Sequence, residues 1–370
     1  MSQVSLFYDS GKVSSLKVVG LDIGGANIKI STADGISRSF AFPMWKQHQT
    51  LPDILKAVLV NEFEASDLIA VTMTAELADC FPSKASGVEF IIHSVTTACP
   101  GIAVRVWMTS GEFATAEEAL DFPFLVAASN WNALATWAGR AAGRGPALLI
   151  DVGSTTTDLI PIFDGLPATE GTTDFTRLQH NELLYTGVLR TPVCAMLQSC
   201  LIDGVNTPVA AELFATAMDV HIVLGNIPEQ PELTDTADGR PATREASLNR
   251  LAHMLCGDIE ELAESQIVQL AETAAESQRN QILNAARNRV AHLKTLSGTI
   301  DSPSSAPMLL LSGSGSWLAE SVIAKIPELR HASVIKLGEA FHRPIHSEAC
   351  AFAVARLAAE RCIDDLLPQM

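Results

Sequence analysis

Two short stretches of the chain carry the same chemistry-bearing pattern. Asp22-Ile-Gly24-Gly25 and Asp151-Val-Gly153-Ser154 each end an apolar run, and each is followed at once by a second run of β-type residues. An aspartate at a strand end followed by a glycine turn does two jobs. Glycine lets backbone N–H groups approach phosphate oxygens with no Cβ in the way. The carboxylate holds a hydrated Mg²⁺ against the same oxygens. One such turn occurs in many sheets for structural reasons alone. Two in matching frames, the second with the hydroxyls of Ser154, Thr155, Thr156 and Thr157, point to a phosphate clamp. Lys29 and Asp158 each lie seven residues beyond their aspartate, on second strands whose alternation turns them either to the clamp or to solvent. A third small-residue turn, Ser312-Gly313-Ser314-Gly315-Ser316, joins an apolar run to a helical stretch. It is expected to offer free helix N-terminal amides to an adenosine or another phosphate. The plain alternative is a strand-to-helix turn that needs small residues.

The elements that must position these turns repeat as well. Each hairpin meets an Asp-Gly turn signal, Asp34-Gly35 and Asp164-Gly165. After these come a third run, Ser39 to Phe42, and a shorter one around Leu166. Two antiparallel hairpins therefore begin two domains built alike. The remainder reads as mixed α/β: a helix from Leu51 to Glu64, strands at Leu68–Met73, Phe90–Ser94 and Val104–Met108, and a helix from Asp121 to Arg140. From Glu245 the period becomes helical, with Leu248, Leu251, Ala252 and Leu255 on one face and Ile259, Leu262 and Ile267 continuing it. Pro228–Pro241 and Asp301–Pro307 read as loops, Met308–Leu311 as a strand, and Ser347–Arg361 as an Ala-rich closing helix. Cys256 is expected in the core of the helical region, with Asp258 facing the cleft.

Composition bounds the function. The 370 residues are 48% apolar and 18% charged, which describes a folded chain of two or three domains. The formal net charge is −17, and there is no Lys/Arg cluster, so neither nucleic acid nor an anionic membrane surface is an expected partner. Seven cysteines, scattered and never in CxxC spacing, argue against a disulfide framework and suit a reducing cytoplasm. Cys80, His93 and Cys99 have no regular metal-ligand spacing. The first sixteen residues lack the features of a signal peptide. The uncharged segment Phe122–Gly139 reads as a buried helix, not a membrane span, since Pro123, Ser129, Asn130, Asn132 and Thr136 interrupt it.

In their order along the chain, the Asp22–Lys29 hairpin, the Asp151–Asp158 hairpin, the Gly313–Gly315 turn and the small-residue helix Glu348–Ala359 resemble the acetate-kinase, sugar-kinase, heat-shock chaperone and actin superfamily. The run DVGSTTTD is most similar to its hydantoinase/oxoprolinase branch. VTMTAELADCF (Val71–Phe81), SGEF (Ser110–Phe113), AASNWNALA (Ala127–Ala135), LLYTGVLRTPV (Leu183–Val193) and RLAHMLCGD (Arg250–Asp258) narrow the resemblance. They are similar to a family of tetrahydromethanopterin-linked one-carbon transfer pathway proteins that includes a methanofuran-biosynthesis coupling enzyme. It runs from about Lys17 to Arg361. Two departures stand out: Ser154 replaces the second glycine of the second turn, and the Cys/His metal quartet of hydantoin-ring hydrolases is missing.

The resemblance implies an α/β fold of two ribonuclease H-like domains with mixed sheets, flanking helices and a ligand cleft between them. The first spans 17–145, completed by a C-terminal helix at about 347–362. The second spans 146–346, with a helical insertion at about 245–297. It places Mg²⁺ on Asp22 and Asp151, and phosphates on Gly24, Gly25, Asn27, Lys29, Gly153, Ser154, Thr155, Thr156 and Asp158, with Gly313, Ser314 and Gly315 as the adenosine-type turn. The implied reaction joins a furan-methyl diphosphate to the phenol of a glutamyl-tyramine and releases pyrophosphate. Glu76 is then the leading proton acceptor, with Glu112 and Asp79 behind it; each alternatively is a solvated loop carboxylate. Arg190 is a candidate anchor for a phosphate or a glutamyl carboxylate, or else a structural ion pair. An ATP-dependent kinase or lactam hydrolase, and a non-enzymatic nucleotide-gated scaffold, are the competing readings. Homo-oligomerisation stays open, because the long helices can pack within the chain or between chains.

Overall fold

A computed structural model describes residues 17–63, 66–297, 306–340 and 348–362. The expected features at 1–16, the loop at 301–305 and Ser347 lie outside them.

The first sheet is built from β1 (Val18–Ile23), β2 (Asn27–Thr32), β3 (Ser37–Ala41), β4 (Leu68–Met73), β5 (Ala103–Trp107) and β6 (Phe113–Thr115), in the order β3-β2-β1-β4-β5-β6. β1 to β3 form an antiparallel meander, while β4 and β5 lie parallel to β1. The second sheet uses β7 (Pro146–Val152), β8 (Thr157–Phe163), the two-residue β9 (Leu166–Pro167) and β10 (Leu183–Leu184). After a separate ribbon, β11 (Ser199–Ile202) with β12 (Val205–Pro208), it resumes with β13 (Met308–Ser312) and β14 (Val334–Lys336). β7, β8 and β9 again form an antiparallel meander, and β13 and β14 again run parallel to β7. Both sheets therefore share one ribonuclease H-like order, a hairpin meander followed by parallel strands. The repeat seen in the sequence is a repeat of topology.

The Asp-Gly signals make the tight turns, with Gly35 at φ 90° and the pair Asp164 and Gly165 at 51° and 82°. Those are left-handed values that Gly and Asp adopt most readily. The closing helix Ala349–Arg361 lies directly on β1. It approaches so closely that a Cβ on Gly20 would sit 2.0 Å from the Ala351 carbonyl oxygen.

Five expectations are corrected. Phe90–Ser94 is not a strand but part of the helix Lys84–Ala98, opened by a reciprocal Ser83/Ser86 cap. Its buried Val88, Ile91, Ile92 and Val95 follow helical spacing, which outweighs the β-branched content. The helix expected from Asp121 to Arg140 is broken into Ala116–Asp121, Pro123–Val126 and Asn130–Ala138. Pro123 starts the second piece, and Ala128, at φ 48°, separates it from the third. The helical region after Glu245 is also two helices, Arg244–His253 and Glu264–Ser297. The break leaves Ile259 and Leu262 off any helix, and Cys256, at φ 57°, is exposed, not core. Asp258 faces no cleft: it accepts the amides of Glu260 and Glu261 at 2.8 and 2.9 Å, capping the turn they make. Among the described residues no helix is long and apolar enough to cross a membrane.

Candidate active site

The two hairpin turns open on one cleft of about 350 Å³. It is lined by Gly24, Gly25, Ala26, Asn27 and Lys29 from the first hairpin, and by Asp151, Gly153, Ser154, Thr155, Thr156 and Asp158 from the second. The turns are closed alike: Gly24 N–H donates to the Asn27 carbonyl at 3.0 Å and Gly153 N–H to the Thr156 carbonyl at 2.9 Å. This corrects the roles of Gly24 and Gly153. Their amides hold the turns and are not free for a ligand. Of the amides in these two turns, those of Gly25, Ala26, Ser154, Thr155 and Thr156 have no acceptor among the described residues. Ser154 leaves the closing bond intact, so the departure from glycine there does not distort the turn.

What aims those amides is bracing from behind. The Gly25 carbonyl accepts Met44 N–H, the Gly153 carbonyl accepts Val188 N–H, and the Ser154 carbonyl accepts the amides of Leu189 and Arg190, all at 2.9–3.0 Å. Because a trans peptide points its C=O and N–H in opposite directions, each braced carbonyl directs the next amide the other way. Gly187 seats the brace, since a Cβ there would lie 2.6 Å from the backbone of Gly153, Ser154 and Thr155. Gln278, on the long helix, donates to the Gly187 carbonyl at 2.8 Å and the Thr186 hydroxyl at 2.9 Å.

Strand register decides the electrostatics. In the first hairpin Asp22 is the direct cross-strand partner of Lys29, and the lysine donates to Asp22 Oδ2 at 3.2 Å. Burial alone would lower the Lys29 pKa, but the surrounding charges, Asp22 foremost and Asp151 among them, raise it above the ordinary lysine value. In the second hairpin Asp151 faces Asp158, a carboxylate opposite a carboxylate. Burial, and then the Asp158 charge, push Asp151 up to about 6, against the pull of Lys29. Burial also raises Asp158, opposed by Arg177, whose Nη2 donates to Asp158 Oδ1 at 2.6 Å. Arg177 is buried with its guanidinium 4.1 Å from the Trp131 ring centroid. The Cys350 thiol lines the cleft too; burial and the nearby carboxylates push its pKa well above the ordinary thiol value, so it stays protonated.

The expected site residues divide. Lys29 and Asp158 face the cleft, as do Asn27, Asp79 and Arg190. Glu76 does not line it. The close packing of Gly87 against the Glu76 backbone fixes the turn Ala75–Leu77, and the carboxylate is buried with both oxygens lacking a hydrogen-bond partner. Burial pushes its pKa up to about 7. Glu112 is exposed in the turn between β5 and β6, away from the cleft. At the third glycine turn the Gly315 amide is committed and Gly313 is closely packed. Gly315 N–H donates to the Val152 carbonyl at 2.8 Å, and a Cβ on Gly313 would meet the same oxygen at 2.2 Å. The space beside Ser312, Gly313 and Ser316 is about 20 Å³, too small for an adenosine. The turn supports the end of β7 from behind. Sequence reasoning missed Trp45, Asn130, Asp174, Arg177 and Cys350, all of which line the cleft.

These residues fit a Mg²⁺ ion bound together with a phosphorylated ligand. Asp22 Oδ1 is buried with no hydrogen-bond partner. Asp151 carries a carboxylate strained by its neighbours, and Gly25 has open space where a Cβ would be. Among the described residues no three acidic, His or Cys side chains converge as a complete ligand set. Mg²⁺ takes one or two carboxylates and fills its remaining positions with water and phosphate oxygens, so Asp22 and Asp151 are the residues that would hold it.

Twin ribonuclease H-like domains, each giving one glycine-turn hairpin to a shared cleft, define a class of α/β protein. Within it the chain belongs to the hydantoinase/oxoprolinase family, whose model matches residues 67–361. It is 34% identical over 347 residues to the (4-{4-[2-(gamma-L-glutamylamino)ethyl]phenoxymethyl}furan-2-yl)methanamine synthase of Methanocaldococcus jannaschii, covering 92% of this chain and 97% of that protein. A protein of the same name from Methanococcus vannielii is 41% identical over 124 residues, 34% of this chain and 55% of that one. Among solved structures it is similar to an inorganic polyphosphate/ATP-glucomannokinase from an Arthrobacter strain, at 14% identity and a TM-score of 0.41, covering 94% of this chain and 100% of that one. It is likewise similar to the archaeal actin homologue Ta0583, at 15% identity and a TM-score of 0.43, covering 94% and 100%.

Proposed function

We propose that the protein couples a furan-methyl diphosphate to the phenol of a γ-glutamylated tyramine, forming the aryl ether in the product named for its relatives. The observation that carries this reading is the convergence of two hairpins whose braced turns leave five amides uncommitted at one cleft, beside Asp22, Asp151 and Lys29. Mg²⁺, held by Asp22 and Asp151, would supply charge neutralisation for the diphosphate. The amides of Gly25, Ala26, Ser154, Thr155 and Thr156 bind its oxygens, and Lys29 adds positive charge between the two turns. The bond from the furan-methyl carbon to the diphosphate oxygen breaks, with the electron pair leaving on the diphosphate. The phenol oxygen forms the new bond to that carbon. Its proton goes to Asp79, a cleft carboxylate with no cation paired to it among the described residues. Diphosphate is favoured over ATP because, among the described residues, the space beside Ser312, Gly313 and Ser316 is about 20 Å³, too small for an adenosine at that turn. Seven free cysteines fit a reducing cytoplasm as the place of action.

The test is a coupling assay with purified protein, the two substrates and Mg²⁺, following ether product and released pyrophosphate together. Stoichiometric appearance of both supports the reading. Release of inorganic phosphate from ATP without ether formation would sink it. The variant Asp79→Asn is expected to lower kcat about 10²–10³-fold with little change in the KM of the diphosphate.

A further inference from the structure

The cleft has a second half that the phosphate clamp does not use. Trp45 lies just beyond the first turn, in the segment whose Met44 amide braces Gly25. Arg190 lies just beyond the second turn, where its own amide braces Ser154. Across the cleft these two meet, with the Arg190 guanidinium 5.3 Å from the Trp45 ring centroid. Leu77 and Tyr185 line the same mouth and are 57% and 69% exposed, unusually open for side chains of that size.

The cations of the cleft are not equivalent. Lys29 is committed to Asp22 at 3.2 Å, and Arg177 to Asp158 at 2.6 Å. Among the described residues Arg190 has as its acidic partner Asp235 at 3.7 Å, a 72% exposed residue on the Pro228–Pro241 loop, and such a surface pair is weak and easily exchanged. A guanidinium lying on an indole face, with its hydrogen-bonding edge open, is arranged to take a carboxylate. The flat apolar surface around it is arranged to take an aromatic ring. Asp79 is nearby in the chain path, since the Cys80 thiol donates to the Met44 carbonyl at 3.7 Å and so ties the Asp79 loop to the Trp45 segment.

From this we infer that Trp45, Tyr185 and Leu77 form the acceptor pocket of the enzyme, holding the phenol ring, and that Arg190 grips the carboxylate end of its γ-glutamyl tail. Arg190 is then the residue that selects glutamylated over unglutamylated acceptors. The inference rests on the coupling reaction proposed above and names its acceptor half.

The experiment compares two acceptors, 4-[2-(γ-glutamylamino)ethyl]phenol and the carboxylate-free 4-(2-aminoethyl)phenol, in wild type, Arg190→Met and Trp45→Ala. Arg190→Met should raise KM for the glutamylated acceptor about 10-fold or more, while KM for the diphosphate donor and for the carboxylate-free acceptor stays within about 2-fold. Trp45→Ala should raise KM for both acceptors. Equal damage to both acceptors by Arg190→Met, or a raised donor KM, would assign Arg190 to the diphosphate and overturn the inference. Calorimetric titration of each acceptor into wild type and Arg190→Met gives an independent reading. If wild type binds the glutamylated phenol preferentially but makes no ether, the coupling reaction fails while the pocket stands. If it shows no preference, the pocket fails.

Discussion

The two hairpins are the same backbone with opposite electrostatics. Both close with the same turn bond, and both place an aspartate opposite the residue seven positions on. In the first, that residue is Lys29, and the hairpin neutralises its own carboxylate. In the second it is Asp158, and the hairpin carries two carboxylates face to face. Its neutrality is borrowed: Arg177 arrives from the short helix Asp174–Gln179 to meet Asp158, and Lys29 reaches the field of Asp151 from the other domain. A duplicated hairpin thus becomes an asymmetric site, one half self-sufficient and the other dependent on cations from elsewhere. That dependence couples the two domains through charge at the cleft between the hairpin turns.

The comparison breaks most visibly at Arg177. Arg177→Met leaves the half-buried Asp158 without its cation and the buried site of Arg177 without its ion pair, and thermal or urea unfolding should register a loss of about 2–4 kcal/mol. The double variant Arg177→Met, Asp158→Asn should recover much of it, which a purely packing role for the arginine would not allow. Lys29→Met comes next. It removes the one cation shared by both hairpins, and kcat/KM should fall about 100-fold at neutral pH. The same change removes a charge that holds Asp151 down, so the apparent pKa of that carboxylate, followed by ¹³C NMR of the free protein, should rise from about 6.

Glu76 sharpens the contrast from outside the site. Its carboxyl is raised from the ordinary 4.5 to about 7, so the folded protein binds this proton more tightly than the unfolded chain. The associated stability is complete below pH about 4.5 and is lost as pH rises through about 7. Glu76→Gln should therefore stabilise the protein by about 2–3 kcal/mol at pH 8 and by nearly nothing at pH 4, with kcat largely retained. A large loss of kcat would return Glu76 to the reaction. The smallest effect is expected from Ser154→Gly, which gives the second turn the glycine pair of the first. Activity should change less than about 2-fold and stability by no more than about 1 kcal/mol.

Much of this architecture is legible in the residues alone. The paired Asp-x-Gly turns, their Asp-Gly successors and the parallel strand Leu68–Met73 rest on local pattern, and local pattern survives into the fold. The failures share a physical cause. Phe90–Ser94 is rich in β-branched residues, yet its apolar spacing belongs to a helix that Ser83 caps. Arg177 sits in Thr173-Asp-Phe-Thr-Arg177, a run with no motif that marks it for a site; its burial is set by contacts with Trp131 and Asp158, which local pattern does not show. Glu76 sits where a cleft carboxylate is expected, but Gly87 draws its turn inward. No pattern of residue types announces a contact of that kind. The glycine pattern likewise misassigns Gly24 and Gly153, though not Gly25 and Ser154, because which N–H closes a turn depends on its hydrogen bonding.

The claim beneath all of this is that the two hairpins form one Mg²⁺–diphosphate site. Calorimetric titration of Mg²⁺–pyrophosphate into wild type and into the Asp22→Asn, Asp151→Asn double variant tests it most directly, with circular dichroism to confirm that both are folded. The account predicts saturable binding in wild type and at least about a 100-fold weaker affinity in the double variant. Equal affinity in two equally folded proteins would contradict it.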